Sequence, residues 1–368
     1  MSEAGYEVAH DTSPTNPPWD DFVGAMRLGH YHLQSSLWAQ AKATVGWRSV
    51  RAIAREGSTI RGGCQLLLRG HPSIGTVAHA PAGPVLCSDD AALLDALLGE
   101  VHALARAHGV ISLKLQPPAD RPDLVAALGA RGFAESRFTA ASGGTVRVDL
   151  RRSPDDLLGA MRSSTRNHIR KAQRRGVVVR EGDAADLRVF GELLAQTAAR
   201  QGFIPLPLRF YERLWELYSP GTRVRLFVSE QEGRPVSAIF TLVHGDTLLY
   251  KMGGWSGEHS SAHPNELSHW HAMLWARDRG LRYYDLEGLS AAAAQAIAAG
   301  TAQRGDLDGL ARFKLGFGGE AVILPPYCDY TYRPMRAAGV RLLARRLGRW
   351  QWVTRRALGR EEMAARET

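Results

Sequence analysis

Polar and apolar residues alternate in two long stretches of this chain, and the two are worded alike. VRAIAREGSTIRGGCQLLLRG (50–70) and VRLFVSEQEGRPVSAIFTLVHG (224–245) each read as a strand, a tight polar turn with a glycine, and a second strand. LARAHGVISLKLQP (104–117) and LWARDRGLRYYDLEG (274–288) each read as a helix end, a glycine stop and a strand. ALGARGFAES (127–136) and FKLGFGGEAV (313–322) make a third pair. Three matched pieces in one order predict two copies of a single α/β unit. Helical signals recur in three further places. Arginines stand at every fourth position over 162–174, and HPNELSHWHAMLWARDRG (263–280) follows a Pro-Asn entry. Leu343, Leu347, Trp350 and Val353 form an apolar stripe between arginines.

A mixed sheet covered by helices is the expected form of each copy. The order hairpin, helix–strand, helix–strand resembles the GNAT fold, the acyl-CoA N-acyltransferase fold. The expected class is α/β, a tandem duplication of two GNAT-like units with a cleft between them. The expected divisions are a disordered leader at 1–18, a first unit at 19–150, and a second at 151–334 containing a basic helix at 162–175. A basic amphipathic helix at 335–368 completes the chain, and docking on the body is its commoner use. The GNAT pyrophosphate loop, Q/R-x-x-G-x-G/A, belongs between a strand and a helix. The nearest string, RKAQRRGVVV, follows a helix and lacks the second small residue. That counts against acyl-CoA as a donor.

Composition adds a compartment and a partner class. The 368 residues suit two domains, and 45% apolar with 23% charged suits a soluble protein. No apolar run is long enough to span a bilayer, and the start lacks the basic and apolar parts of a signal peptide. Cys64, Cys87 and Cys328 are scattered, with neither metal nor disulfide spacing. The cytoplasm is the expected location, at the inner face of the membrane if the basic C-terminal helix touches lipid. The net charge of +9 is uneven: residues 151–180 carry +7, residues 335–368 carry +6, and the rest carry −4. Two basic elements on a slightly acidic body imply a polyanionic partner, nucleic acid or an anionic membrane surface. Only five of the 46 cations are lysines: Lys42, Lys114, Lys171, Lys251 and Lys314. Where arginine is the default, a surviving lysine marks places that need a compact ammonium.

Three constellations carry candidate chemistry. Arg162, Arg166, Arg170 and Arg174, with Lys171 beside them, line one side of a helix that Ser163, Ser164 or Thr165 caps. Such a row repels itself and calls for phosphates, the alternative being a solvated face paired with acids. His263, Glu266, His269 and His271 fit no standard ligand pattern, so no metal is expected. Asp285 and Glu287 share one side of a strand, as a base, an amine-orienting group, or a salt bridge.

The order of HLQSSLWAQAKATVGW, HAPAGPVL, STRNHIRKAQRRGVVV, GFIPLPLRFYERLWELY, HPNELSHWHAMLWARDRGLRYYDLEG and RFKLGFGGE resembles the FemXAB family of non-ribosomal peptidyl transferases, from about Trp19 to Tyr332. The resemblance implies transfer of an amino acid from aminoacyl-tRNA to an acceptor amine, commonly on the stem peptide of a peptidoglycan precursor. It implies no cofactor beyond aminoacyl-tRNA as co-substrate, and a monomer is expected. Only AAAAQAIAAGTAQRGDLD separates YYDLEGLS from GLARFK, so the chain is similar to the short, FemX-like members without a helical arm. By the same resemblance, Phe313 and Lys314 lie at the reaction centre, with Asp285 as the amine-orienting candidate. Lys42 matches a family position that contacts the acceptor, and Trp47, Arg209, Tyr211 and Tyr250 complete the expected acceptor-binding set, Arg209 and Tyr211 compensating from positions adjacent to Leu206 and Phe210. The chain departs from the family at Ala82-Gly83-Pro84, where Arg-Gly-Pro is common, and at Leu206 and Phe210, where an arginine and a tyrosine are common. These departures point to a retargeted acceptor, such as a peptide or nucleoside antibiotic. The rival functions are a CoA-dependent N-acyltransferase and a non-catalytic RNA- or membrane-surface-binding protein.

Overall fold

A computed structural model describes residues 5–71, 75–136, 143–302 and 307–338. Along the chain run β1 (Glu7–Asp11), α1 (Pro17–Gly24), α2 (Ser36–Ala43), β2 (Arg48–Glu56), β3 (Thr59–His71), β4 (Gly75–Ala80), β5 (Val85–Leu86), α3 (Ala91–Ala107), β6 (Val110–Leu115), α4 (Asp123–Gly129) and β7 (Ala134–Glu135). Then come β8 (Gly144–Asp149), α5 (Pro154–Ala160), α6 (Ser163–Arg174), β9 (Val178–Gly182), α7 (Asp186–Gln201), α8 (Leu208–Tyr218), β10 (Val224–Gln231), β11 (Arg234–His244) and β12 (Thr247–Trp255). The last are α9 (Pro264–Asp278), β13 (Tyr283–Asp285), α10 (Ala291–Ala298), α11 (Gly309–Leu315), β14 (Glu320–Ile323) and β15 (Cys328–Thr331).

Two compact units result, each with its own sheet. The first sheet has the order β1-β2-β3-β4-β6-β15-β7, with β5 on β3. The second, read from the same end, is β9-β10-β11-β12-β13-β8-β14. The two orders correspond strand for strand. In both, the hairpin pairs antiparallel, and the single parallel contact (β4 with β6, β12 with β13) follows a crossover helix. All three sequence pairs fall on corresponding elements. Gly109 and Gly280 end the crossover helices at φ +62° and +75°, a conformation glycine adopts without steric cost.

The boundaries differ from those expected. β8 belongs to the second sheet although the expected boundary at 150 places it in the first unit, and β15 belongs to the first sheet although the expected boundaries place it in the second. Each unit takes its penultimate strand from beyond its own stretch of chain, so a linear cut cannot separate them. The stretch read as a disordered leader contains β1, paired with β2 from Glu7↔Arg55 to Asp11↔Arg51. A short polar edge strand gives no apolar signal. It is fastened from below: fully buried Arg51 donates to Asp11 at 2.7 Å, to the Ser13 carbonyl at 2.8 Å and to Gln65 at 2.9 Å. The expected C-terminal helix lies, from residue 339 on, outside the described residues.

Each core is built from the sheet and its crossover helix. In α3, Leu93, Leu94, Leu97, Leu98, Val101 and Leu104 form the apolar stripe, and Asp90 caps the start by accepting from Ala92 N–H. In the second unit α9 buries Leu267, Trp270, Met273 and Ala276 against Phe227, Ile239, Leu248 and Tyr284.

Candidate active site

The C-terminal end of β13 and the helix α11 bring Lys314 to one loop. Asp308 caps α11 by accepting from Ala311 N–H at 2.6 Å, which fixes the phase that turns Ala311 and Lys314 inward. Lys314 is 4% exposed. Its Nζ donates to the Gly288 carbonyl at 2.7 Å and to the Glu287 carbonyl beside it. Those carbonyls face it because Glu287 and Gly288 are both left-handed, at φ +43° and +64°. An ammonium has three donors, so one N–H is left for another acceptor. Burial pulls its pKa down to about 8, against the carboxylates of Glu287, Asp285 and Asp308, which raise it.

Asp285 has a different employment from the amine-orienting one expected. It is 5% exposed, and Oδ1 accepts from Thr145 Oγ1 and from Glu287 N–H at 2.8 Å, while Oδ2 faces Arg147 Nε at 3.7 Å. With both oxygens engaged, it anchors the loop that holds Lys314. Phe313 is a wall of the core. It packs edge-on against His269 at 5.3 Å and Phe317 at 5.2 Å. Tyr250 also packs edge-on against His269, at 4.6 Å. Burial and then the Lys314 charge push the His269 imidazole down to about 3, so it is neutral, hydrogen-bonded to Tyr284 Oη at 2.6 Å. Sequence reading missed Lys251, whose Nζ donates to Glu287 Oε1 at 2.8 Å. The rarity of lysine was the signal that pointed to it.

The acceptor set is divided between the two units. Lys42 and Trp47 lie in the first unit, both buried, with Lys42 Nζ 5.1 Å from the Trp38 ring centre. Trp47 packs near Arg69 and His79, and His79 Nε2 meets Tyr327 Oη at 2.9 Å. In the second unit, Tyr211 is 2% exposed among Phe190, Phe210 and Phe240, at 5.0–5.4 Å. It is a core residue, because α8 turns its inner face there, and Arg209 on the outer face is exposed. Phe210, where the family commonly has a tyrosine, is buried beside Tyr211 to the same degree.

The basic helix divides into two uses. Arg166 is spent on α5: its Nη1 donates to the carbonyls of Gly159 at 3.1 Å, Leu158 at 3.5 Å and Met161. Arg162, exposed, donates to the Arg312 carbonyl at 3.2 Å. Arg170 and Arg174 are exposed and Lys171 half-buried, and no carboxylate of the described residues lies within ion-pair distance of these three. The expected serine or threonine cap is absent, and Arg162 occupies the N-cap position without a side-chain bond.

One cluster was not anticipated. His168, from α6, stacks on His263 at 3.6 Å with 6° between the planes, and Glu266 Oε1 lies 2.9 Å and 3.7 Å from the two Nδ1 atoms. Two imidazoles and a carboxylate are a metal-ligating set. Face-to-face rings aim their lone pairs along parallel lines, however, and the charges of Lys171 and Arg175 bear on His263. The arrangement suits a hydrogen-bonded pair better than ligation.

Comparison with known proteins covers both units. The FemAB family model matches residues 15–124, and the acetyltransferase (GNAT) domain model matches 159–296. Residues 15–124 are thus similar to the FemAB family, and residues 159–296 to the GNAT domain. Among curated relatives, lipid II:glycine glycyltransferase of Staphylococcus haemolyticus is 27% identical over 233 residues, 60% of this chain and 55% of the relative. The enzyme of that name in Staphylococcus aureus is 27% identical over 226 residues, 58% and 53%. This chain thus spans about half the length of the curated relatives it matches. The crystal structure of FemX aligns with a TM-score of 0.76 at 21% identity, over 90% of this chain and 99% of that one. A tandem GNAT protein from the clavulanic acid biosynthesis pathway aligns at 0.54 and 14% identity, over 89% and 98%. The shared fold is the tandem GNAT architecture.

Proposed function

We propose that this protein is an aminoacyltransferase that moves an amino acid from aminoacyl-tRNA to an amine of an acceptor and forms an amide bond. The observation that carries the reading is the Lys314 ammonium, buried, held by two carbonyls and left with one donor. Kinship with lipid II:glycine glycyltransferases supports the reaction class. The acceptor amine attacks the ester carbonyl, a C–N bond forms, and the carbonyl oxygen takes up the negative charge. Lys314 donates to that oxyanion, a contribution of about 3–4 kcal/mol for one such donor. The C–O bond to the ribose then breaks, the tRNA leaves as a free hydroxyl, and the proton lost by the amine balances it. The ester is already activated, so positioning supplies much of the remaining acceleration, up to about 7–11 kcal/mol.

In this reading Arg170, Lys171 and Arg174 hold tRNA phosphates. The acceptor is a muropeptide, or a peptide or nucleoside intermediate in a specialised pathway. The reaction takes place in the cytoplasm, at the inner face of the membrane when the acceptor is lipid-linked. None of the described helices is long and apolar enough to cross a membrane.

The test is a transfer assay with total tRNA charged with labelled amino acids and a panel of amine acceptors, muropeptide precursors included. RNase-sensitive movement of label to an acceptor is the expected result. RNase-resistant acylation from acetyl-CoA alone would replace the reading with a CoA-dependent one.

A further inference from the structure

Two of the five lysines meet at one residue. Lys251 leaves β12 with its side chain 9% exposed and donates to the Glu287 carboxylate at 2.8 Å. Lys314 arrives from α11 and takes the Glu287 carbonyl. The Glu287 N–H goes to Asp285 at 2.8 Å. The Glu287 N–H, carbonyl and Oε1 are therefore all engaged, and its backbone is left-handed at φ +43°, uncommon for a residue with a side chain. A strained residue of this kind persists where its surroundings over-determine it. What this one presents to the protein is a pair of carbonyls, its own and that of Gly288, both aimed at Lys314 Nζ. A Cβ at Gly288 would come within 3.0 Å of that nitrogen, so the loop follows the ammonium closely.

We propose that the Lys251–Glu287 ion pair is a positioning device that fixes the left-handed turn, and through it the place of the Lys314 ammonium. Lys251 and Glu287 act through Lys314, and the proposal rests on reading Lys314 as the oxyanion donor. Charge supports the geometry. The charged groups that bear on Lys314 are Glu287 from the loop, Asp285 from β13 and Asp308 at the start of α11, and Lys314 in turn bears on His269 from α9; Tyr250 and Tyr284 touch His269, and Lys251 touches Glu287. Burial is the largest influence on Lys314, and the Glu287 carboxylate is the first of those that oppose it. Removing that carboxylate therefore makes Lys314 more acidic. Removing Lys251 leaves the carboxylate uncompensated and makes Lys314 less acidic. A purely structural role for the pair moves neither value in a set direction.

The scarcity of lysine makes this measurable on the full chain. Labelling lysine Cε with carbon-13 gives five NMR signals, and the one missing from Lys314→Arg belongs to Lys314. The wild-type titration midpoint should lie near pH 8. Glu287→Gln should lower it by about one pH unit, and Lys251→Met should raise it by about half a unit or more. Lys251→Arg keeps the charge and should return the midpoint to the wild-type value. In the transfer assay, Glu287→Gln and Lys251→Met should each lower kcat about tenfold with the acceptor KM within twofold, and Lys251→Arg should recover most of the loss.

Midpoints that stay put in both neutralising variants would overturn the proposal. Should Glu287→Gln fail to fold, a Lys251→Arg midpoint equal to that of Lys251→Met would overturn it as well. The two readings fail separately. Midpoints that move as expected while Lys314→Ala transfers normally remove Lys314 from the transfer step and keep the positioning. Midpoints that do not move while Lys314→Ala is inactive do the reverse.

Discussion

Burial decides what Lys314 does. A free lysine at neutral pH is a hydrated cation with three equivalent donors, whereas this one has lost water and gained two carbonyls. Its pKa, lowered from 10.5 to about 8, leaves it mostly charged at neutral pH. The form that donates to an oxyanion is the protonated one. Single-turnover transfer is therefore expected to fall as pH rises through about 8, and a pH profile of the single-turnover rate checks this. Lys314→Arg, whose guanidinium keeps its proton, should show a slower rate without that alkaline limb. A wild-type rate flat to pH 10 would remove the ammonium from the step. At this scale the sequence was partly legible. Against a background of arginine, lysine rarity singles out Lys314, whereas the role of Lys251 is revealed only by the loop geometry. Tyr211 lies in the core because α8 turns that face inward, which adjacency in sequence does not reveal. Asp285 was misread because a carboxylate's availability depends on Thr145, a residue 140 positions away.

At the scale of the element, α6 separates two kinds of arginine that look alike in a one-letter string. Arg170 and Arg174 face solvent without acidic partners among the described residues, so each replaced by alanine should weaken tRNA binding and reduce the magnitude of the slope of log K against log salt by about 0.7–0.9. Filter binding at several salt concentrations measures it. Arg166→Ala should leave that slope unchanged and instead destabilise the protein by about 1.5–3 kcal/mol, because it strips a charged donor from the end of α5. Denaturant titration distinguishes the two. The edge strand β1 gives a second element-scale expectation. Asp11→Ala leaves Arg51 buried without its carboxylate, which costs about 3–5 kcal/mol. Hydrogen exchange at residues 7–11 should become fast in that variant. The periodicity of four in α6 was visible in the sequence. That Arg166 would meet α5 carbonyls was not, since it depends on where α5 stops.

For the whole molecule, the duplication is the most legible feature and the exchange of strands the least. Matched hairpins, glycine stops and crossover helices share one order, and their patterns survive in the wording of the chain. β8 and β15 carry no such mark, because a strand of four to six residues pairs equally well with either sheet on local grounds. The exchange has a consequence. A chain ending at residue 323 lacks β15, which fills the space between β6 and β7 in the first sheet. Amide protection should fall at Val110–Leu115 and stay high in β10, β11 and β12, a contrast hydrogen-exchange mass spectrometry resolves. Loss of protection confined to the second sheet would contradict the topology.

The central claim is tested most directly by single-turnover transfer from labelled aminoacyl-tRNA, comparing wild type with Lys314→Ala and measuring tRNA affinity in parallel. The account predicts a rate lower by roughly 10²–10³-fold with affinity unchanged within about twofold. Transfer at a near wild-type rate in Lys314→Ala would contradict it.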